Sequence, residues 1–355
     1  MIEVLALVPY ALRRVGGQRY RIEQWAPLLE RHGVRVAFAP FLGPDGMDVL
    51  YRPGHAWAKI GHTLRGYAGR AVKAFGRARP DVVFVYRESS PLAPAWFERL
   101  AAWRAPVVFD FDDAIYLPDA SPANAWTRRL KGRGKVEALC RMSRHVTVGN
   151  VVLAEFASRH AAAVTVLPST IDTDVYRVRP REGNARPVVG WTGSETTVPH
   201  LLALAPALRR LRRCLDFELH VVGGTVAIDG VDVRGIPWSA AREVEDLRPL
   251  DVGVMPLPDD EWSRGKCGMK ALQYMALAKP AVVSPIGANA GIVQDGVNGF
   301  HARNEDEWVD RLARLLSDPQ LRARLGTAAR TTVERGYSAE VHVPRLAQVL
   351  REAAA

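Results

Sequence analysis

The sequence predicts an α/β protein of two doubly wound domains facing across a cleft. Three observations carry this. Residues 2–39 run apolar strand, glycine-bearing loop, helix and second apolar strand, the opening of a parallel sheet. The same pattern restarts at Pro187 to Gly190, beyond a charged segment without periodicity. Residues 262–301 then give a basic turn, a short helix, a wholly apolar strand and a glycine-rich loop. A chain of 355 residues is long enough to fill two cores.

In order, Ile2 to Pro9 reads as a buried strand, Gly16-Gly17 as the following loop, Tyr20 to His32 as a helix closed by Gly33, and Val34 to Ala39 as the second strand. The glycine pair is either an ordinary tight turn or a loop that lets a ligand approach the backbone. Trp57 to Arg79 places Trp57, Ile60, Leu64, Ala68, Ala71, Val72 and Phe75 at helical spacing. This predicts an apolar face packed on the sheet, with Lys59, His62, Arg65, Arg70, Lys73, Arg77 and Arg79 on a basic face that is either solvated or laid against anionic lipid. A second basic cluster runs from Arg128 to Lys135. Asp81 to Tyr86 is the next strand, with Arg87 and Glu88 at the end where such sheets bind ligands. Val107 to Phe109 is another, followed by Asp110, Asp112 and Asp113. Carboxylates so close together must be hydrated, paired with an arginine, used as a helix cap, or used in chemistry. Val146 to Asn150 and Val164 to Pro168 complete this half.

Leu167 to Tyr176 is rich in turn residues, and 177–186 is charged, as suits a crossing between domains. The expected division is 1–168, joined by a final helix at about 337–355, and 169–336. Trp191-Thr192-Gly193-Ser194 follows directly on Pro187 to Gly190, where the second domain begins. Leu201 to Leu211 follows as helix, Phe217 to Val222 as strand, then Gly223-Gly224, Val233 to Trp238, and the strand within Asp251 to Leu257. In the 262–301 stretch, the helix starts near Met269 and Pro280 forbids its continuation. Free N–H groups around Gly268, Met269 and Lys270, with the positive helix end, suit a phosphate. Arg264, Lys266 and Lys270 add charge, and Gln273 could hydrogen-bond a ribose hydroxyl. An ordinary helix with a solvated basic first turn has the same spacing.

The same stretch resembles the donor-binding signature of retaining glycosyltransferases of family 4, which have the GT-B fold of two Rossmann-like domains. Gln273-Tyr274-Met275-Ala276 falls on the family's E-A-M-A, Ala278 to Val283 on G-x-P-x-V-V, and Asp295 to Phe300 on D-G-x-N-G-F. The resemblance implies transfer of a sugar from a nucleoside-diphosphate sugar to an acceptor hydroxyl with retention, in cell-envelope polysaccharide, glycolipid or other glycoconjugate synthesis. No metal or other cofactor is implied. By position, Gly16 and Gly17 match the family's glycine-rich loop, Gly193 and Ser194 its first donor-phosphate loop, and Asp112 its residue near the transferred sugar. Trp238 falls in the region that reads the base, where it either stacks on it or fills a core. The sequence departs from the family at Gly265 and Gln273, which stand where two glutamates are usual, and at Glu195-Thr196-Thr197, which replaces a basic pair. Charge for the diphosphate is therefore expected from Arg264, Lys266 or Lys270. A nucleotide-sugar epimerase of the same fold is the alternative.

Residues 1–180 hold 26 lysines and arginines against 16 acidic residues, which is the whole excess of +10; the remainder is neutral. A basic half implies an anionic partner, here an anionic or lipid-linked acceptor or an anionic membrane contacted peripherally. Interleaved aromatics of a stacking platform are missing, so nucleic acid is not expected. No apolar run approaches bilayer length, and the N-terminus lacks signal-peptide features. Cys140, Cys214 and Cys267 have no metal-ligand spacing, which points to reduced thiols and a cytoplasmic setting.

Overall fold

The computed structural model describes residues 1–355 except 51, 53, 76–78, 91–94, 118–133 and 180–182. Most of the second basic cluster, 128–133, lies outside the described residues. The chain forms two compact units, Met1–Ser169 with His342–Ala355, and Thr170–Val341. Each is a Rossmann-like α/β domain.

The first unit is built on β1 (Ile2–Val8), β2 (Val34–Pro40), β3 (Val82–Tyr86), β4 (Val107–Phe111), β5 (His145–Val148) and β6 (Val164–Val166). These form one parallel sheet in the order β2-β1-β3-β4-β5-β6. Every residue of β3 and β4 is buried, because helices cover both faces, and Asp110 is the one charged residue among them. The strand order reverses between β1 and β3, so their carboxyl ends open the crevice where such sheets bind ligands.

Two expectations fail here. The helix predicted over 20–32 is broken into Gly16–Gln18, a wide turn over Arg19–Glu23, and Ala26–Arg31. Pro27 has no N–H to continue the ladder, so it starts a new helix. Gly16 and Gly17 lie in the first helical turn rather than an open loop. The second failure is larger. Helix Ala56–Phe75 does not put its apolar stripe on the sheet. Its inner face carries Gly66, whose missing Cβ would lie 2.7 Å from the Phe41 ring, and Arg70, which is 4% exposed. Arg70 donates to the carbonyls of Val8 and Ser89, both at 2.8 Å, and to that of Ala39. These carbonyls lie at or just beyond the carboxyl ends of three strands, and the Val8 carbonyl also accepts from the Phe41 N–H at 2.8 Å. Burial lowers the Arg70 pKa to about 10. With the polar contacts inside, Trp57, Ile60, Leu64 and Val72 are left in solvent.

The second unit contains β7 (Val188–Thr192), β8 (Glu218–Val222), β9 (Val233–Ile236), β10 (Val252–Met255), β11 (Ala281–Val283) and β12 (Gly299–His301). They form a parallel sheet in the order β12-β11-β10-β7-β8-β9, whose reversal point lies between β7 and β10. The single helix expected over 201–211 is two, Val198–Leu202 and Ala205–Cys214, because Pro206 restarts it. Ala278 stands where the family motif has glycine and takes the left-handed φ of 55° that favours glycine. No described helix is long and apolar enough to cross a membrane.

Candidate functional site

In the second unit, most of the expected residues converge at the carboxyl ends of β7 and β8 and at helix Met269–Ala276. Gly193 follows β7, and a Cβ there would lie 2.4 Å from the Trp191 ring and 2.6 Å from Thr197 Oγ1. Gly223, with φ 91°, would bring a Cβ to 2.2 Å from the Gly193 carbonyl. Only glycines let these two loops close on each other. The Ser194 N–H donates to Thr197 Oγ1 at 3.2 Å, fixing that hydroxyl. Gly268 begins the helix with φ 69°, and a Cβ would lie 2.2 Å from Ile292 Cδ1, so the entry to the helix also requires glycine.

Lys270 projects from the first turn of that helix. Its Nζ donates to Thr197 Oγ1 at 3.3 Å and sits 4.4 Å from the centroid of the Trp191 ring. No carboxylate pairs with it among the described residues. Burial, and then the neighbouring Lys266, push its pKa down to about 7. His200 is lowered as well, by burial first and then by Lys270 and Lys266. Two lysines and a histidine thus crowd beside the unbonded N–H groups of a helix start, an arrangement that an arriving anion would relieve. Sequence reading missed His200, since a histidine in a short helix has no distinctive pattern.

Arg264 does not join this group. It ends the short helix Glu261–Arg264 and donates to Asp259 at 2.8 Å on an exposed surface, so its charge is already met. Lys266 lies 5.0 Å from the Trp262 ring centroid, where the aromatic face holds it near the helix. Gly265 and Cys267 are buried, and the Cys267 thiol points to the Gly265 carbonyl at 3.8 Å.

Gln273 is 4% exposed and donates to the Tyr176 hydroxyl at 3.0 Å. Tyr176 donates in turn to Glu243 Oε2 at 2.9 Å, and Trp238 Nε1 donates to Glu243 Oε1 at 2.9 Å. Gln273 and Trp238, 35 residues apart in sequence, are therefore joined through two residues that sequence reading did not select. Tyr176 reads as linker, and nothing in the sequence distinguishes Glu243 from Glu245.

In the first unit, the acidic run divides. Asp110 lies inside β4, 1% exposed, bonded by Arg21 and, at 2.6 Å, by the Thr147 hydroxyl. Burial raises its pKa against the pull of Arg21. It is a sealed structural pair rather than the loop residue that the spacing suggested. Asp112 Oδ1 accepts from Tyr86 Oη at 2.9 Å and from Arg87 Nε at 2.8 Å, and Asp113 pairs with the same guanidinium. Burial, then Asp112 and Asp113 against Arg87, hold the Tyr86 hydroxyl well above its usual range. Arg87 takes a φ of 56°, an uncommon conformation for a residue of its size, at the end of β3. A Cβ on Gly17 would lie 2.5 Å from Tyr86 Oη and 2.9 Å from Asp112 Oδ2, whereas one on Gly16 would meet only Tyr20 at 3.4 Å. Gly17, Tyr86, Arg87, Asp112 and Asp113 are brought together, and Gly16 and Asp110 stand apart.

Residues 186–318 match the family model described as glycosyl transferases group 1. This segment resembles a group 1 glycosyl transferase domain. It holds β7 to β12 and every residue described above in the second unit except Tyr176. A curated relative, D-inositol 3-phosphate glycosyltransferase of Saccharomonospora viridis, is 29% identical over 133 residues. That match covers 37% of this chain and 29% of the relative, less than a third of its length. Among solved structures, the sucrose-phosphate synthase of Thermosynechococcus elongatus superposes with a TM-score of 0.73 at 14% identity, over 99% of both chains. Anabaena HepE, solved with UDP and glucose, gives a TM-score of 0.66 at 14% identity, over 99% of this chain and 100% of that one. These likenesses show the fold of a two-domain glycosyltransferase along the whole chain.

Proposed function

We propose that the chain is a glycosyltransferase that moves a sugar from a nucleoside-diphosphate sugar to an acceptor hydroxyl with retention. The observation that carries this is Lys270, which has no carboxylate partner among the described residues and is held over Trp191 at the start of helix Met269–Ala276, in the segment that matches the group 1 model. In the reaction, the bond between the anomeric carbon and the diphosphate oxygen breaks with its electron pair on the phosphate. The acceptor oxygen bonds that carbon and passes its proton to the departing diphosphate. Charge therefore grows on the diphosphate, where Lys270, Lys266 and the helix N–H groups stabilise it. These groups supply the positive charge that the step needs, so the reading includes no resident metal or other cofactor.

The donor would lie along Gly193, Ser194, Gly268, Met269 and Lys270, with its base near Trp238. Gln273 contributes by holding Tyr176 and, through Glu243, Trp238. The UDP bound by Anabaena HepE makes UDP sugars the first donors to try. The acceptor falls to the basic first unit, with Gly17, Asp112 and Asp113 beside the reacting hydroxyl. Its charge balance supports an anionic or lipid-linked acceptor, in cell-envelope or other glycoconjugate synthesis in the cytoplasm.

The test is thermal stabilisation by a panel of nucleoside diphosphates and their sugars. One nucleotide at 100 times its Kd should add about 2.7 kcal/mol of stability, and Lys270→Ala should lose that response. If no nucleotide at millimolar concentration shifts the transition, the donor site is refuted. Turnover without release of free nucleoside diphosphate would move the reading to an epimerase.

A further inference from the structure

Four apolar residues of helix Ala56–Phe75 meet no apolar counterpart among the described residues. Trp57 is 85% exposed, Leu64 63% and Val72 70%, with Ile60 between the first two. Steps of three, four and eight residues keep them on one face of the helix. The helix packs beside Trp96–Arg104, where Tyr67 stacks on Phe97 with ring centroids 5.4 Å apart. That second helix turns Trp96 and Trp103 outward, the latter 83% exposed. Helix Lys135–Met142 continues the layer, meeting Trp103 and Arg99 with Ala138, Arg141 and Met142. Three exposed tryptophans and three exposed aliphatic residues therefore share the outer side of one helical layer.

The charges around them have one sign. Arg65, Arg99 and Arg141 are exposed, and none forms an ion pair among the described residues. The three helices contain only two carboxylates, Glu98, which is fully buried, and Glu137, which is half-buried. A patch of this kind is costly in water and marks an interaction site. A second copy of the chain would bring the same arginines face to face with no acidic residues to meet them. A bilayer of anionic lipid meets both features, since tryptophan rings settle at the headgroup level and arginines reach phosphates.

We propose that the outer surface of helices 56–75, 96–104 and 135–142 docks the protein onto an anionic membrane. Trp57, Leu64 and Trp103 enter the interface, and Arg65, Arg99 and Arg141 bind lipid headgroups. The contact is peripheral and does not require the donor-site reading. It gives the excess charge of residues 1–180 a partner.

The experiment is co-sedimentation of the full chain with vesicles of phosphatidylcholine alone and of phosphatidylcholine with phosphatidylglycerol, followed by tryptophan emission. The chain should bind the anionic vesicles with a blue-shifted emission, bind neutral ones far more weakly, and release in high salt. Trp57→Ser with Leu64→Ser and Trp103→Ser, or Arg65→Glu with Arg99→Glu, should each cut binding about tenfold or more, as lost interfacial area or charge requires. Because these side chains are exposed, melting temperature and nucleotide response should be unchanged, which separates this outcome from a failure of the donor site. The proposal is overturned if anionic vesicles are not bound, or if the variants bind as well as the wild type. It is also overturned if sedimentation shows a dimer that Leu64→Ser dissociates, for then the face belongs to a second copy.

Discussion

At the scale of single residues, Lys270 is the sharpest case. A folded-state pKa of about 7, against an ordinary 10.5, makes the lysine a liability to stability. Below about pH 7 both the folded and unfolded chains carry its proton, so the cost is full. Between pH 7 and 10.5 the unfolded chain binds more protons and the cost shrinks. A bound diphosphate should restore the charge. Nucleotide binding at about pH 8 is therefore expected to take up a proton, seen by titration calorimetry in buffers of different ionisation enthalpy, and Lys270→Met should abolish that uptake. Asp110 and Asp112 make a second contrast. Asp110→Ala leaves the buried Arg21 guanidinium without its carboxylate and should cost about 3–5 kcal/mol in denaturant unfolding. Asp112→Asn should cost far less stability, since Asn can still accept from Tyr86 or Arg87, yet should lower transfer activity. If Asp110→Ala unfolds normally and is inactive, the two roles are reversed. The sequence marked both aspartates alike, because what separates them is two residues, which carry Asp112 just past the end of β4, and the position of Arg21, 89 residues before Asp110.

At the scale of elements, helix Ala56–Phe75 tests whether its inner face is the one described. Alanine for glycine within a helix normally adds up to about 1 kcal/mol. At Gly66 the new Cβ would meet the Phe41 ring and carbonyl at 2.7 and 2.8 Å, so the sign should invert and stability should fall by about 1–3 kcal/mol. Gly61 and Gly69 meet nothing within 4 Å and should keep the normal sign. Melting curves of the three variants check this. If all three are stabilised, the helix is seated differently. Strands were legible element by element: β1, β3, β7, β8 and β11 all lie where continuous apolar runs placed them. The helices expected over 20–32 and 201–211 were not, and the reason is local. Pro27 and Pro206 restart helices that periodicity alone joins. The apolar stripe of 56–75 gives its period but not its direction, which Gly66 and Arg70 decide.

At the scale of the whole molecule, the chain has two Rossmann-like units of different character, one strongly basic and one nearly neutral that holds the segment matching the group 1 model. Hydrogen exchange should reflect that division. A bound nucleoside diphosphate should protect backbone amides in 192–200 and 265–273, the loop and helix start around Lys270. No protection there would refute the placement of the donor.

By itself the sequence determined the two-unit α/β architecture, the helix start at Gly268 and the cations beside it, because strand burial, glycine requirements and proline breaks are written in consecutive residues. Only the tertiary structure decided which charges are already met. Arg264 is taken by Asp259, Asp110 by Arg21, and Asp112 and Asp113 by Arg87, while Lys270 has no carboxylate partner among the described residues. It also linked Gln273 to Trp238 through Tyr176 and Glu243, and turned a predicted core stripe outward. Pairing and facing depend on residues brought together from distant positions, and periodicity within one segment contains no information about them.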